Sequence, residues 1–252
     1  MKVQYEVTDG VALITINRPE RMNAMDQETY DALSDAWIKV RDDSDVRSAV
    51  ITGAGDKSFT AGADLKAHVS QFMDESEFWK TQQSQLLNRG LEIWKPVVAA
   101  INGYCLGGGM TLMLATDIRI ASENAEFGVP EVPRGLLPGN GGTQRILEQL
   151  PHPIGMEMLL LGERIDSAKA LRWGLVNEVV PQGELMKRAM ERARQLAALP
   201  PLAAQAAKEM ALRARDMDRN TGLRIEMTML RMLQKSEDAK NAKATFAARS
   251  QG

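Results

Sequence analysis

The stretch Pro96-Val97-Val98-Ala99-Ala100-Ile101-Asn102-Gly103-Tyr104-Cys105-Leu106-Gly107-Gly108-Gly109-Met110-Thr111 decides how this chain folds. Pro96 to Ile101 is an uncharged, β-rich run of the kind a sheet buries on both faces. Asn102-Gly103 closes it as a turn. The triple glycine then precedes an apolar run from Met110 to Ala115, where a helix can start. Glycine has no Cβ, so a ligand can approach this backbone closely. The first N–H groups of a helix starting here have no intrahelical partner and lie at the positive end of its dipole, a place for a developing oxyanion. The same glycines would also let a helix pack tightly on a strand. The residues alone leave both readings open.

Outward from that segment, strand and helix signals alternate. Val11-Ala12-Leu13-Ile14-Thr15-Ile16 is a short β-rich run stopped by Asn17-Arg18-Pro19. Ser48-Ala49-Val50-Ile51-Thr52 ends at Gly53, and Asp117 to Ala121 and Val176 to Val180 read as further strands. Asp26 is suited to cap a helix whose apolar positions Tyr30, Leu33, Trp37 and Val40 recur at steps of three and four. Strands separated by helical stretches argue for an α/β class with crossover connections.

From Pro181 onward the only β-branched aliphatic residue is Ile225, and good helix formers dominate. Leu185, Ala189, Ala193 and Leu196 form one helical stripe; Leu223, Met227, Leu230 and Leu233 form another. The expectation is a core over residues 1–195 and a C-terminal helical region over 196–252. The methionines at 186, 190, 210, 217, 227, 229 and 232 suit an adaptable packing surface, and residue type favours ordinary core over a subunit interface.

Composition narrows the function classes. The 252 residues are 44% hydrophobic and 25% charged, which fits a globular chain and excludes disordered and fibrous ones. A net charge of −2 supplies no global basic field, so neither nucleic acid nor an acidic membrane is an expected partner. A lone cysteine, Cys105, allows no intramolecular disulfide. The N-terminus lacks the apolar core of a signal peptide, and Asn102 with four glycines interrupts the most apolar window, Val97 to Ala115. A cytoplasmic protein is expected. With two histidines, His68 and His152, no metal site is expected. Gly53-Ala54-Gly55-Asp56-Lys57-Ser58 lacks the third glycine of a dinucleotide fingerprint and reads as a turn.

Two other stretches carry chemistry. In Ala61-Gly62-Ala63-Asp64 small residues precede an aspartate placed to cap a helix through Leu65 and Lys66. Backbone donors from this loop and from the triple glycine could hold one carbonyl oxygen between them. Glu131 sits between Pro130 and Val132 in an apolar neighbourhood. Partial burial would tune it from ~4.3 toward ~6–7, the range of a useful general base. The competing reading is a solvated loop carboxylate, and Asp117, Glu123 and Glu126 are rivals of the same chemical type.

Taken together, these motifs resemble the enoyl-CoA hydratase/isomerase family, the crotonase superfamily. The likeness begins at Ile16-Asn17-Arg18-Pro19 with Asn23-Ala24. It runs through Ala61-Gly62-Ala63-Asp64, Asn102-Gly103-Tyr104 with the triple glycine, and Phe127-Gly128 with Pro130-Glu131. It ends at Ala170-Leu171-Arg172-Trp173-Gly174-Leu175-Val176 and the helical tail. The resemblance implies an α/β spiral of repeated ββα units followed by a helical region that mediates trimerisation, as a homotrimer or dimer of trimers. It implies a substrate carried as a coenzyme A thioester, with no separate cofactor. By that likeness the N–H groups of Ala63 and Gly108 form the oxyanion hole and Glu131 is the acid/base. Arg21, Met22, Ala61, Asp64, Leu65 and Lys66 fall where the family lines the coenzyme A site. Tyr104 and Leu106 would flank the pantetheine or acyl entrance, and Gly107, Pro130 and Asn140 are expected among the binding residues.

The sequence departs from the hydratase pattern at Thr111, where family hydratases place the first of two glutamates. Threonine can hydrogen-bond a water but is no carboxylate base. One glutamate fits either double-bond isomerisation or hydration of an enoyl-CoA. A ring-opening carbon–carbon hydrolase of the same superfamily is the alternative, and a non-catalytic acyl-CoA-binding protein is the alternative of another class. Hydratases have a small residue at the Asn140 position and dienoyl-CoA isomerases an aspartate. Here the asparagine is expected chiefly to hold the turn between Gly139 and Gly141. The acyl group is left to the segment from Ala67 to Leu91, with Phe72, Met73, Phe78 and Trp79, which carries no signature.

Overall fold

Strand β1 (Val3–Thr8) and strand β2 (Val11–Ile16) open the chain as an antiparallel hairpin. Its turn residues Asp9 and Gly10 both have positive φ (53° and 74°), the geometry that matches the twist of paired strands. The structure is a computed structural model and describes residues 1–68 and 86–241. Phe72, Met73, Phe78 and Trp79 lie outside the described residues.

Two sheets grow side by side. The larger adds β3 (Ser48–Gly53), β5 (Val97–Ile101), β7 (Ile118–Ser122) and β10 (Glu178–Val180) in parallel beyond β2, in the order β1-β2-β3-β5-β7-β10. The smaller contains β4 (Ser58–Thr60), β6 (Tyr104–Leu106), β8 (Glu126–Gly128) and β9 (Ile165–Asp166), in the order β4-β6-β8-β9. After each of β3, β5 and β7 the chain turns at once into a short strand of the smaller sheet. This repeat is the expected α/β spiral, and the short strands were not visible in the sequence.

Alternation along the long strands sorts their side chains into two cores. Ala49, Ile51, Val97, Ala99, Ile101 and Ala121 face a large core shared with the middle residues of three short strands, Phe59, Cys105 and Phe127, all fully buried. Helix α1 (Gln27–Asp42) covers this core with Tyr30, Leu33, Trp37 and Val40, the predicted stripe. Its cap, Asp26, accepts the Thr29 N–H at 3.0 Å. Cys105 Sγ lies 3.9 Å from Met113 Sδ, and burial pushes its thiol far above the usual range.

Three expected strands are trimmed, β5 only by Pro96. Asp117 stays outside β7 because its carboxylate accepts the Val97 N–H and a Lys208 ammonium N–H, each at 2.7 Å. Val176 precedes β10 and donates its N–H to the Ala170 carbonyl at 3.4 Å. Between α1 and the C-terminal region lie helices α2 (Leu65–His68), α3 (Gly108–Met113), α4 (Gly142–Gln149), α5 (His152–Leu161) and α6 (Ser167–Arg172).

The C-terminal helices differ from expectation. Helix α7 (Leu185–Ala197) lies on the second face of the large sheet, with Leu185, Ala189, Ala193 and Ala197 against Val11, Val50, Val98, Ala100 and Ile120. The expected boundary at 195/196 therefore falls inside a core helix. Helices α8 (Pro201–Arg213) and α9 (Arg219–Leu233) pack on each other and bury no residue fully. The expected methionine core is corrected here. Met186 and Met190 pack partly against the α7 side of the sheet, but Met227 is 47% exposed and Met232 70%. Nothing else in the described chain covers that face of α9. No helix among the described residues is long and apolar enough to cross a membrane.

Candidate active site

Three loops leave the C-terminal ends of β4, β6 and β8 and converge, as ligand sites do at the carboxyl ends of parallel strands. The first is Ala61 to Asp64. Met25 donates its N–H to the Gly62 carbonyl (2.8 Å) and accepts the Asp64 N–H (2.9 Å). Residues 62 and 64 are thereby tied to one side, and the Ala63 N–H between them turns to the other. Gly62 has φ +91°, and a Cβ there would sit 2.8 Å from Gly108 N and from the Leu106 carbonyl. Only glycine lets the loop press against the start of α3. A Cβ built on Gly108 would lie 3.5 Å from Ala63 N, which sets the two amides side by side. No hydrogen bond among the described residues uses either N–H.

Both readings of the triple glycine hold, for different members. A Cβ at Gly109 would meet the Thr60 carbonyl at 2.6 Å, so that residue serves packing. Gly107 has φ +53°, and a Cβ there would lie 3.1 Å from Glu131 Oε1. Its lack of a side chain brings the carboxyl up to the first turn of α3.

Glu131 is partly buried, and its Oε2 is inaccessible and without a hydrogen-bond partner among the described residues. Burial raises its carboxyl above the usual range, while its own backbone N–H and the positive charge of Arg134 work against the rise. The solvated-loop reading fails on this geometry. The rival carboxylates are occupied or elsewhere: Glu126 pairs with Arg164 at 3.3 Å, and Asp117 pairs with Lys208 at 2.7 Å.

Arg21, Ala61, Ala63, Asp64, Leu65, Lys66, Gly107, Gly108 and Glu131 line one cavity of ≈ 370 Å³, together with Ala24, Arg134 and Leu136. Asp64 does not add a free charge. Burial would raise its carboxyl, but the Arg18 guanidinium at 3.2 Å and the N–H groups of Ala67 and Lys66 hold it below the usual range, ionised and capping α2. Glu131 is thus the carboxylate lining this cavity without an ion pair among the described residues.

The other expected residues lie outside that lining. The Met22 carbonyl accepts the Ser58 hydroxyl (2.8 Å) and the Ala61 N–H (3.0 Å), tying the loops behind the cavity. Tyr104 carries the Arg164 guanidinium 5.1 Å over its ring. Leu106 is buried against Gly128, and Pro130 packs near Gly162. Asn140 has φ +53° and accepts the Arg89 Nε–H at 3.1 Å, while its carbonyl accepts from Arg145 at 3.0 Å. It holds a turn. Thr111 is 2% exposed, donates to the Gly108 carbonyl (3.0 Å) and accepts from Asn88 Nδ2 (3.1 Å). Its proton is spent inside the protein.

Sequence reasoning missed Arg134, three residues past Glu131 and therefore within reach of a search for nearby cations.

A family model described as enoyl-CoA hydratase/isomerase matches residues 6–251. The chain is 40% identical to (E)-benzylidenesuccinyl-CoA hydratase of Thauera aromatica over 99% of this chain and 97% of that protein. It is 42% identical to carnitinyl-CoA dehydratase of Salmonella typhi over 84% of this chain and 80% of that protein. The crystal structure of an enoyl-CoA hydratase from Bacillus anthracis superposes with a TM-score of 0.91 at 31% identity, covering 99% of this chain and 97% of that one. The chain belongs to the enoyl-CoA hydratase/isomerase family. It is an enzyme of the crotonase fold that acts on coenzyme A thioesters.

Proposed function

We propose that this enzyme catalyses the reversible addition of water across the double bond of an enoyl-CoA, with Glu131 as its single acid/base. The observation that carries the reading is a half-buried carboxyl with an unpartnered oxygen, set across Gly107 from two idle backbone amides. The N–H groups of Ala63 and Gly108 hold the thioester oxygen. As the water oxygen bonds to the β-carbon, its proton passes to Glu131 and the π electron pair moves onto the thioester oxygen as an enolate. The enolate then collapses, and the α-carbon takes the proton from Glu131, which returns to its carboxylate form. The product is a 3-hydroxyacyl-CoA. Arg21 and Lys66, which line the same cavity, suit the phosphates of coenzyme A, which enters as part of the substrate. Hydratase and dehydratase, the names of the two relatives, are opposite directions of such a reaction.

One observation favours a second reading. No other unpaired carboxylate lines the described cavity, so Glu131 could instead move a proton from the α- to the γ-carbon and isomerise a 3-enoyl-CoA. Incubation with 2-enoyl-, 3-enoyl-, 3-hydroxyacyl- and cyclic diketo-CoA thioesters, with products identified by mass, separates these readings. Hydrated or dehydrated product is expected; ring opening, or tight binding with no conversion, would overturn it. Glu131→Gln should lower turnover at least ~100-fold with thioester binding retained. Full activity in that variant removes Glu131 from the mechanism.

A further inference from the structure

We infer that Arg18 is a positioning residue that aims the Ala63 amide, an inference that rests on the oxyanion-hole reading above. Met25 and Ala63 form an isolated parallel bridge, made by the Met25 N–H and carbonyl with Gly62 and Asp64. Two hydrogen bonds at one residue fix a point, and further contacts are needed to stop the loop pivoting about it. Upstream of Ala63, the Ala61 N–H on the Met22 carbonyl (3.0 Å) supplies one. Downstream, the side-chain contact is Arg18 on Asp64.

Arg18 closes on the bridge from both sides. Its Nη1 donates to the Ala24 carbonyl, and its Nη2 lies 3.1 Å from Asp26 Oδ2 and 3.2 Å from Asp64 Oδ2. Residues 24 and 26 flank Met25, and residue 64 follows Ala63. One guanidinium plane therefore ties the segment that carries Met25 to the loop that carries Ala63. The Arg18 side chain is 12% exposed and each carboxylate 15%, so solvent ions screen these pairs little. The base of the side chain is fixed as well. Asn23 Oδ1 accepts the Arg18 N–H at 2.9 Å, and Asn23 Nδ2 donates at 2.6 Å to the carbonyl of Ser58, the first residue of β4. Arginine suits the task because its rigid fork reaches three acceptors at set angles, where lysine brings a single point of charge. Arg18 is outside the cavity lining, so it acts through Asp64 and Ala63.

The test uses the full-length chain and three readouts: hydration of crotonyl-CoA, exchange of the α-protons of butyryl-CoA in deuterated water, and the absorption of bound para-dimethylaminocinnamoyl-CoA. That chromophore moves to longer wavelength when hydrogen bonds draw charge onto its thioester oxygen, so it reports the aim of the amides apart from turnover. Arg18→Met keeps the stem and removes the fork. It is expected to lower the kcat of hydration and the exchange rate alike, on the order of 100-fold, with KM little changed. It should also lose most of the red shift while the chromophore still binds. Arg18→Lys should fall between Arg18→Met and wild type in all three. Wild-type kcat and red shift in Arg18→Met overturn the assignment alone. So does a loss of hydration that leaves the red shift per bound molecule intact, which is what a merely structural role produces by lowering the folded fraction. Where Arg18→Met does not fold, Arg18→Lys decides: kcat and red shift that fall together sustain the assignment, and any other result overturns it. A wild-type chain that binds the chromophore with no red shift overturns the oxyanion-hole reading, and the assignment with it.

Discussion

The two sheets of this enzyme divide the labour unequally. The six-stranded sheet is built from runs such as Ser48–Gly53 and Val97–Ile101, every residue of which is buried. The strands β4, β6 and β8 of the smaller sheet have three residues each and contribute one fully buried side chain apiece to the shared core, Phe59, Cys105 and Phe127. Yet all three loops of the candidate site leave the smaller sheet. A strand of three residues is too short to stand alone, but anchored by one core side chain it aims the loop that follows it. The large sheet holds the molecule together and the small one points the chemistry.

The division makes measurable claims. Changing Gly62 to Ala attacks the aim: the new methyl collides with Gly108 N and the Leu106 carbonyl at a φ that disfavours side chains. Moving one amide off the oxyanion should cost about 100- to 1,000-fold in kcat. Steady-state kinetics on a folded sample checks this, and a variant that loses only affinity would contradict it. Changing Trp37 to Ala attacks the scaffold instead. That side chain is fully buried under the large sheet, and the loss should be about 3–5 kcal/mol by urea denaturation, with kcat of the folded fraction near wild type. The smallest effect concerns the site's own cost. Glu131 has a raised pKa when folded. Its contribution to stability is therefore full below the unfolded pKa and is lost as pH rises through the folded one. Glu131→Gln removes that loss. The variant should melt above wild type at about pH 7, with the gap closing toward about pH 4. A variant that melts lower at both would place the carboxyl in a stabilising interaction.

Much of the large sheet was legible because its strands are long enough to show a pattern. The α1 stripe Tyr30, Leu33, Trp37 and Val40 was legible for the same reason. The small sheet was not, since three residues carry no period. Helices α7 and α9 share one composition and differ in burial. What separates them is the sheet beneath α7, which composition does not record, and the methionine core expected across both fails on α9. Apolar neighbours made Glu131 a candidate beside Asp117, Glu123 and Glu126, and small residues marked the two loops as sources of backbone donors; it was the family resemblance that picked Glu131 and the amides of Ala63 and Gly108.

Cys105 stands two residues before Gly107, at the edge of a site that handles sulfur esters, and it is sealed. A thiol held protonated in the core cannot take an acyl group from coenzyme A, so the enzyme is protected from acylating itself. The same seal makes the residue a built-in reporter. A thiol-selective reagent can mark this chain only while β6 is open, so the rate of labelling counts the openings of the small sheet.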